Sequence, residues 1–129
     1  AAELRCKNAW EPLLYARSRV AHAAAAADLD VIDVPYLDLE DLSGMVTEAE
    51  SVRDLGFSGK GCIHPKQISS INEVFTPNNE AVANAKKIIT AFKKAETGLV
   101  VIDGKLIEKP VLRHMERIVA IANRVSEKR

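Results

Sequence analysis

The chain has 129 residues, and its eighteen basic residues balance eighteen acidic residues, so the formal net charge is +0. A neutral chain offers no overall field to nucleic acid or to an anionic membrane, and any anion site must be local. The apolar run at residues 23–27 is too short to cross a membrane, and no secretion signal opens the sequence. We therefore expect a cytoplasmic protein with reduced cysteines that binds neither nucleic acid nor membranes.

The first predicted element is a helix that begins near Asn8. Apolar residues recur every three or four positions between Trp10 and Ala24, and Pro12 fits only in the first turn. The β-branched run VIDVPYL at residues 31–37 follows. Pro35 near its end favours a buried strand that leaves the sheet at a loop.

A second helix and a second strand follow. Apolar spacing predicts an amphipathic helix over residues 42–52, and Gly56 is expected to end it in a left-handed conformation. The next strand is predicted at residues 59–63. Pro65 is well placed at the first position of a short helix, where its missing N–H is not needed.

The last third of the chain predicts a helix, a hairpin and a helix. The first helix opens at the TPNNE segment, residues 76–80, and is expected to stop at Gly98. Residues 99–108 form a hairpin pattern with an Asp-Gly turn at 103–104. Residues 111–125 carry the apolar spacing of a final amphipathic helix.

Helices that alternate with strands predict neighbouring parallel strands, because a crossover helix is what joins parallel neighbours. A parallel sheet needs several strands with both faces covered, and this chain supplies only two such strands. The sequence therefore predicts either that the chain borrows strands from a partner or that it is the last part of a larger fold.

Four ordered segments together resemble the C-terminal part of the citrate lyase beta-subunit-like aldolases, which include malyl-CoA and citramalyl-CoA lyases. The segments are VIDVPYLDLED, LGFSGKGCIHPKQI, VFTPNNEAVANAKKII and GLVVIDGKLIEKPVL. The resemblance covers almost the whole chain. It implies an α/β fold in which residues 1–75 are the last two βα units of an eight-stranded β/α (TIM) barrel. Residues 76–129 would be a C-terminal extension used in contacts within a homo-oligomer.

The resemblance also implies a reaction. Relatives cleave a carbon-carbon bond in a 3-hydroxyacyl thioester of the citramalyl-CoA, malyl-CoA or citryl-carrier type, releasing an acyl thioester and an α-keto acid. The substrate would be a coenzyme A thioester or an acyl-carrier arm, and the family's Mg²⁺ ligands lie upstream of the segment matched here. This chain alone is therefore expected to be inactive. A non-catalytic binding or assembly fragment remains the alternative.

Lys60, His64 and Pro65 are the candidate thioester-binding residues. In a β/α barrel the chemistry lies at the C-terminal ends of the strands, which is where these residues would stand. Lys60 could offer a point charge to a phosphate, and backbone amides near Pro65 could face an anion at a helix start. The alternative is that the glycines of this segment only turn the chain and that His64 only caps the loop.

Glu108 is the candidate catalytic residue. At the corresponding place several relatives carry an aspartate that reaches into a neighbouring subunit's active site, where it is proposed to transfer a proton. Glutamate keeps the carboxyl group but moves it by one methylene, which favours a different substrate fit. The alternative is an exposed glutamate at the hairpin end, beside Lys109.

The remaining candidates receive structural interpretations. Asp33, Asp38 and Asp41 crowd the exit of the first strand, but we expect a helix-capping acidic loop there and no metal site in this chain. Cys62 is expected to be a buried and inert thiol in the middle of a strand.

Overall fold

The computed structural model describes residues 5–95 and 99–127. The chain divides into two compact units, Ala1–Phe75 and Thr76–Arg129. Within the described ranges, no helix combines the length and the apolar character needed to span a membrane.

The first unit contains two βα repeats. Its elements are α1 (Trp10–Ala26), β1 (Ile32–Asp33), α2 (Leu42–Asp54), β2 (Gly59–Lys60), a 3₁₀ turn (Pro65–Gln67) and α3 (Ile68–Phe75). The two strands are adjacent and parallel, with Ile32 opposite Gly59 and Asp33 opposite Lys60. The predicted parallel pairing is therefore confirmed.

Both strands are shorter than predicted. The backbone ladder makes one further bond, from the Gly61 N–H to the Asp33 carbonyl at 2.9 Å. Beyond it, Pro35 has no N–H to donate. The N–H of Ile63 donates to the Gln67 side chain at 2.9 Å instead of to a neighbouring strand. The second strand therefore ends before residue 63.

The hydrophobic core of the first unit lies between its helices and the short sheet. Ala21, Val52 and Phe57 form a buried cluster. Partly buried side chains pack around that cluster: Trp10, Val31, Leu55 and Phe75. Gly56, which follows α2, has φ +105°, so the predicted left-handed residue at this helix end is confirmed.

The sheet has two unlike faces. Asp33 and Lys60, which lie opposite each other, are 6% and 5% exposed. Ile32 and Val34, the neighbours of Asp33, point the other way and are 68% and 57% exposed. Alternation along a strand therefore buries charged side chains on one face and leaves apolar side chains on the other.

The second unit is a helical pair with a hairpin. Its elements are α4 (Asn79–Lys94), β3 (Val100–Ile102), β4 (Lys105–Ile107) and α5 (Lys109–Glu127). β3 and β4 are antiparallel, and the turn residues Asp103 and Gly104 have φ of 50° and 76°. Two left-handed residues are the signature of a type I′ hairpin turn, which confirms the predicted hairpin. The predicted helix stop at Gly98 lies outside the described residues.

Candidate functional site

A buried group of four charged side chains, which we call the charge cluster, lies on the covered face of the sheet. Its members are Arg17 of α1, Asp33 of β1, Glu48 of α2 and Lys60 of β2. Arg17 contacts Asp33 through two parallel hydrogen bonds of 3.0 Å. Lys60 Nζ lies 2.7 Å from Asp33 Oδ2 and 2.6 Å from Glu48 Oε1. Arg17 Nη2 closes the ring at 3.1 Å from Glu48.

The charge cluster is electrically balanced, because two cations face two carboxylates. Burial on its own would raise the pKa of Asp33. The hydrogen bonds and the positive charges of Arg17 and Lys60 outweigh that effect and hold the pKa of Asp33 below its ordinary value of 3.8. Asp33 is therefore ionised at neutral pH and serves as the counter-ion of both cations.

Lys60 uses its ammonium group inside the charge cluster. Its side chain is 0% exposed, and Nζ also donates to the Val34 carbonyl at 2.9 Å. An ammonium group has three protons, and three acceptors surround this one. A phosphate contact would require one of these buried bonds to break. The role of Lys60 as a phosphate ligand stays a prediction. Breaking a buried contact of Lys60 would make the binding free energy of such a ligand less favourable.

Arg17 has one unused nitrogen. Its guanidinium stacks over the Trp10 ring at 5.1 Å, which favours the cation. Nη1 is buried and has no hydrogen-bond partner among the described residues. Arg17 also borders a mostly apolar cavity of about 210 Å³ between α1 and β1, which Val20, Ile32 and Val34 help to line.

The loop after β1 is anchored to the start of α2. Tyr36 donates its hydroxyl proton to Asp41 Oδ2 at 2.8 Å, and Asp41 Oδ1 accepts from the Gly44 N–H at 2.8 Å. Asp41 is thus the N-cap of α2, as the acidic-loop interpretation predicted. A Cβ atom at residue 44 would collide with the Asp41 carboxylate. A larger residue at this position would therefore displace the Asp41 carboxylate from its contact with Tyr36.

These contacts shift two pKa values in opposite directions. The hydrogen bond to Asp41, together with partial burial and nearby carboxylates, raises the pKa of Tyr36 to about 12. The N–H of Gly44 and the hydroxyl groups of Tyr36 and Ser43 lower the pKa of Asp41. Both shifts favour a neutral phenol that donates to an ionised carboxylate.

A polar cleft of about 240 Å³ lies where β1 ends. The residues that line it are Asn8, Val34, Pro35, Tyr36, Leu37, Asp38 and Glu48. Because it opens at the carboxyl end of a parallel strand, it occupies the position at which α/β folds bind ligands.

His64 and Pro65 lie in the loop after β2, on the surface. The His64 ring Nδ1 accepts the Lys66 N–H at 3.2 Å, and its carbonyl accepts the Gln67 N–H at 3.0 Å. The amides that were expected to face an anion are therefore engaged within the turn. A neutral imidazole that accepts at Nδ1 carries its proton on Nε2, where it can donate to a ligand.

Gln67 ties the two loops together. It is 0% exposed, its Oε1 accepts the Ile63 N–H at 2.9 Å, and its Nε2 donates to the Tyr36 carbonyl at 2.9 Å. One side chain therefore bridges the loop after β1 and the loop after β2.

Glu108 and Cys62 are both on the surface. Glu108 precedes α5, and its carbonyl accepts the Leu112 N–H at 3.1 Å. Cys62 is exposed, so the prediction of a buried thiol was wrong. The reason is that β2 ends at Lys60 and leaves Cys62 in the following loop.

Magnesium does not fit the described side chains. No group of three or more His, Cys, Asp or Glu residues in the described ranges could hold a metal ion. Asp33, the most buried carboxylate at the strand ends, is already neutralised by Arg17 and Lys60. Asp41 caps a helix.

Comparison with known proteins assigns the first unit to a family. Residues 2–65 match HpcH/HpaI aldolase/citrate lyase. This part of the chain belongs to that family. The resemblance predicted from the four sequence segments is confirmed, because known members align with most of the chain.

Two curated relatives and one solved structure illustrate the match. Citrate lyase subunit beta of Leuconostoc mesenteroides subsp. cremoris is 34% identical over 116 residues, which cover 88% of this chain and 38% of that protein. Mitochondrial citramalyl-CoA lyase of Rattus norvegicus is 35% identical over 121 residues, which cover 92% of this chain and 36% of that protein. Protein CitE of Mycobacterium tuberculosis was solved with magnesium, acetoacetate and coenzyme A. Its match to this chain has a TM-score of 0.75 and 30% identity, and it covers 88% of this chain and 42% of the CitE chain.

The chain therefore spans less than two fifths of the length of these two curated family members. Its α/β fold is that of part of a citrate lyase beta-like protein.

Sequence reasoning missed Arg17, Glu48 and Gln67 as organising residues. An arginine on the apolar stripe of a predicted helix is a signal of a buried anionic partner, and Arg17 carried that signal. Glu48 and Gln67 carried none, because Lys60 and Tyr36, their partners across the fold, are distant along the chain.

Proposed function

We propose that this protein is the C-terminal part of a carbon-carbon lyase that acts on a 3-hydroxyacyl thioester, of the citramalyl-CoA, malyl-CoA or citryl-carrier type. The products are an acyl thioester and an α-keto acid. The observation that carries the proposal is the pair of adjacent parallel strands, whose following loops are joined at one edge, in a chain whose relatives are citrate and citramalyl-CoA lyases. Such an edge is where β/α folds carry their chemistry.

The loop after β2 is the proposed contact with the thioester. His64 and Pro65 are exposed there, and Nε2 of the His64 ring, whose Nδ1 accepts the Lys66 N–H, can donate to a carbonyl or phosphate oxygen. Lys60 stays the predicted point charge for a phosphate. Lys66, whose side chain is 34% exposed and pairs with the exposed Glu40, could supply that charge at a lower cost.

Glu108 is the proposed proton-transfer group. Cleavage removes the proton of the 3-hydroxyl group, which becomes the carbonyl group of the α-keto acid, and leaves an acyl thioester enolate that must take up a proton. A carboxylate that accepts the first proton becomes the carboxylic acid that can supply the second. A carboxylic acid within hydrogen-bond reach of the enolate carbon can supply that proton. We propose that Glu108 does so in the active site of a neighbouring subunit of a homo-oligomer.

We place the ligands of the proposed Mg²⁺ outside the described residues. In such a site the ion would offset the negative charge that develops during cleavage. Residues 1–129 alone are then expected to lack lyase activity.

The alternative function is a non-catalytic binding or assembly piece. The specific observation in its favour is the short span of the relatives that the chain covers, 38% and 36% of their lengths. Both alternatives share a helical and hairpin second unit, so its presence does not separate them.

Thioester binding distinguishes the two. We would titrate ¹⁵N-labelled residues 1–129 with acetyl-CoA and follow the amide signals. The proposal predicts shifts in the loop after β2. His64→Ala should reduce these shifts, whereas the matched control His22→Ala in α1 should leave them at their wild-type size. The absence of shifts in the wild-type loop at millimolar acetyl-CoA would favour the assembly alternative.

A further inference from the structure

Gln67 is a polar side chain that is wholly buried, and both ends of its amide group are hydrogen-bonded. Its side chain satisfies one donor, the Ile63 N–H, and one acceptor, the Tyr36 carbonyl, each at 2.9 Å. A side-chain amide has the same donor and acceptor types as a peptide group. Gln67 can therefore replace a missing piece of backbone between two segments.

That piece is missing just beyond the two short strands. The last ladder bond runs from the Gly61 N–H to the Asp33 carbonyl. Pro35 then interrupts the ladder, because it has no N–H. The loops nevertheless stay close, since a Cβ atom at Gly61 would lie 3.1 Å from Pro35 Cγ.

We propose that Gln67 is a positioning residue that extends the pairing of the two strands into their loops and thereby fixes the turn that carries His64. This role of Gln67 rests on the proposed function, in which His64 contacts the thioester. The turn is held at its start by the bond from Ile63 to the Gln67 side chain, and at its end by the Gln67 N–H bond to the His64 carbonyl. Both bonds depend on where Gln67 sits.

A second side-chain contact between the same loops is of a different kind. Lys66 Nζ lies 3.0 Å from Glu40 Oε1, but the Glu40 side chain is 92% exposed. Exposed ion pairs contribute little to structure, because water and salt screen them. Glu40→Gln is therefore a matched control, since it removes a contact between the loops without touching the buried amide.

Three variants of residues 1–129 test the proposal by NMR. Gln67→Met removes both buried bonds, whereas Gln67→Glu keeps an acceptor for Ile63 and loses the donor to Tyr36. The two signals to follow are the hydrogen exchange of the Ile63 amide and the ¹⁵N shift of Leu37, whose nitrogen adjoins the Tyr36 carbonyl.

We expect Gln67→Met to speed Ile63 exchange by about tenfold or more and to move the Leu37 signal. Gln67→Glu should move Leu37 while Ile63 exchange stays within about twofold of wild type. Glu40→Gln should change neither signal. Wild-type values of both signals in Gln67→Met, or an unmoved Leu37 signal in Gln67→Glu, would overturn the coupling of the loops.

Acetyl-CoA titration of the folded Gln67→Glu variant tests the positioning role. We expect weaker binding than wild type by about fivefold or more, with smaller shifts at His64. Unchanged binding in a variant whose Leu37 signal has moved would overturn that role. If wild-type protein does not bind acetyl-CoA, the proposed function fails, and the exchange data still decide whether Gln67 couples the loops.

Discussion

The charge of Lys60 is used in buried contacts within the fold. Its ammonium group is enclosed by Asp33, Glu48 and the Val34 carbonyl. Removing one member of such a buried group leaves the other charges without compensation, which costs more than the group as a whole contributes.

We predict that Lys60→Met lowers the free energy of unfolding by about 3–5 kcal/mol, because Asp33 and Glu48 lose a buried counter-ion. Urea denaturation at neutral pH measures this change. Lys66→Met is the matched control, and because its partner Glu40 is exposed, it should cost about 1 kcal/mol or less. Equal losses in the two variants would show that the charge cluster is not buried.

Asp33 predicts an acid dependence of stability. Its pKa in the folded state is below the ordinary 3.8, so the unfolded chain binds its proton more readily. The contribution of Asp33 to stability is complete above pH 3.8 and is lost as the pH falls through the lower folded pKa.

We expect Asp33→Asn to weaken this acid dependence while lowering stability at neutral pH. Asp41, whose pKa is also lowered, supplies part of the dependence of stability on pH that remains in this variant. Urea midpoints measured from neutral pH into the acid range give the comparison. Asp54→Asn, at a side chain that is 70% exposed, is the control and should retain the wild-type profile. A wild-type acid profile in Asp33→Asn would contradict the assignment.

At the scale of elements, the start of α2 depends on a three-residue contact. The Tyr36 hydroxyl group, the Asp41 carboxylate and the Gly44 N–H form a single hydrogen-bonded chain. Because the pKa of Tyr36 is raised from 10 to about 12, the contribution of this contact to stability is complete below pH 10. That contribution is lost as the pH rises through about 12 and the phenol ionises.

We predict that Gly44→Ala returns the pKa of Tyr36 toward 10, because the new methyl group displaces the Asp41 carboxylate and crowds the hydroxyl group at 2.6 Å. Titration of the tyrosine ¹³Cζ signals reads the pKa directly. Ser51→Ala, in the same helix, removes only a bond to the Thr47 carbonyl and should leave the titration unchanged. A Tyr36 pKa near 12 in Gly44→Ala would refute the contact.

The helices and the hairpin could be predicted from the sequence because their signals are local. Apolar spacing gave α1, α2, α4 and α5, and the Asp103-Gly104 pair gave the hairpin turn. The strand ends could not be predicted, because the partner of the Ile63 N–H is a side chain rather than a strand. The face that Lys60 occupies was equally hidden, since glycines on both sides of it leave no alternation of side chains to read.

At the scale of the whole molecule, the open face of the short sheet bears on the proposed barrel. Ile32 and Val34 are apolar and mostly exposed, and Ile63 in the loop after β2 is 51% exposed. Apolar side chains on one face of a parallel pair are expected where further strands complete a β/α barrel. The open face supports the proposal that the protein works as part of a longer lyase.

An assay of lyase activity is the decisive test of the proposed function. We would measure magnesium-dependent cleavage of citramalyl-CoA, malyl-CoA and a citryl thioester by the full-length protein, by residues 1–129 alone, and by full-length Glu108→Gln, with Lys109→Gln as the neighbouring control. We expect the full-length protein and Lys109→Gln to cleave at least one thioester and residues 1–129 to cleave none. Glu108→Gln should turn over about a hundredfold more slowly or worse, because proton transfer is impaired. Any one of three results would contradict the proposed function. They are wild-type turnover in Glu108→Gln, cleavage by residues 1–129 alone, and no cleavage of any of the three thioesters by the full-length protein.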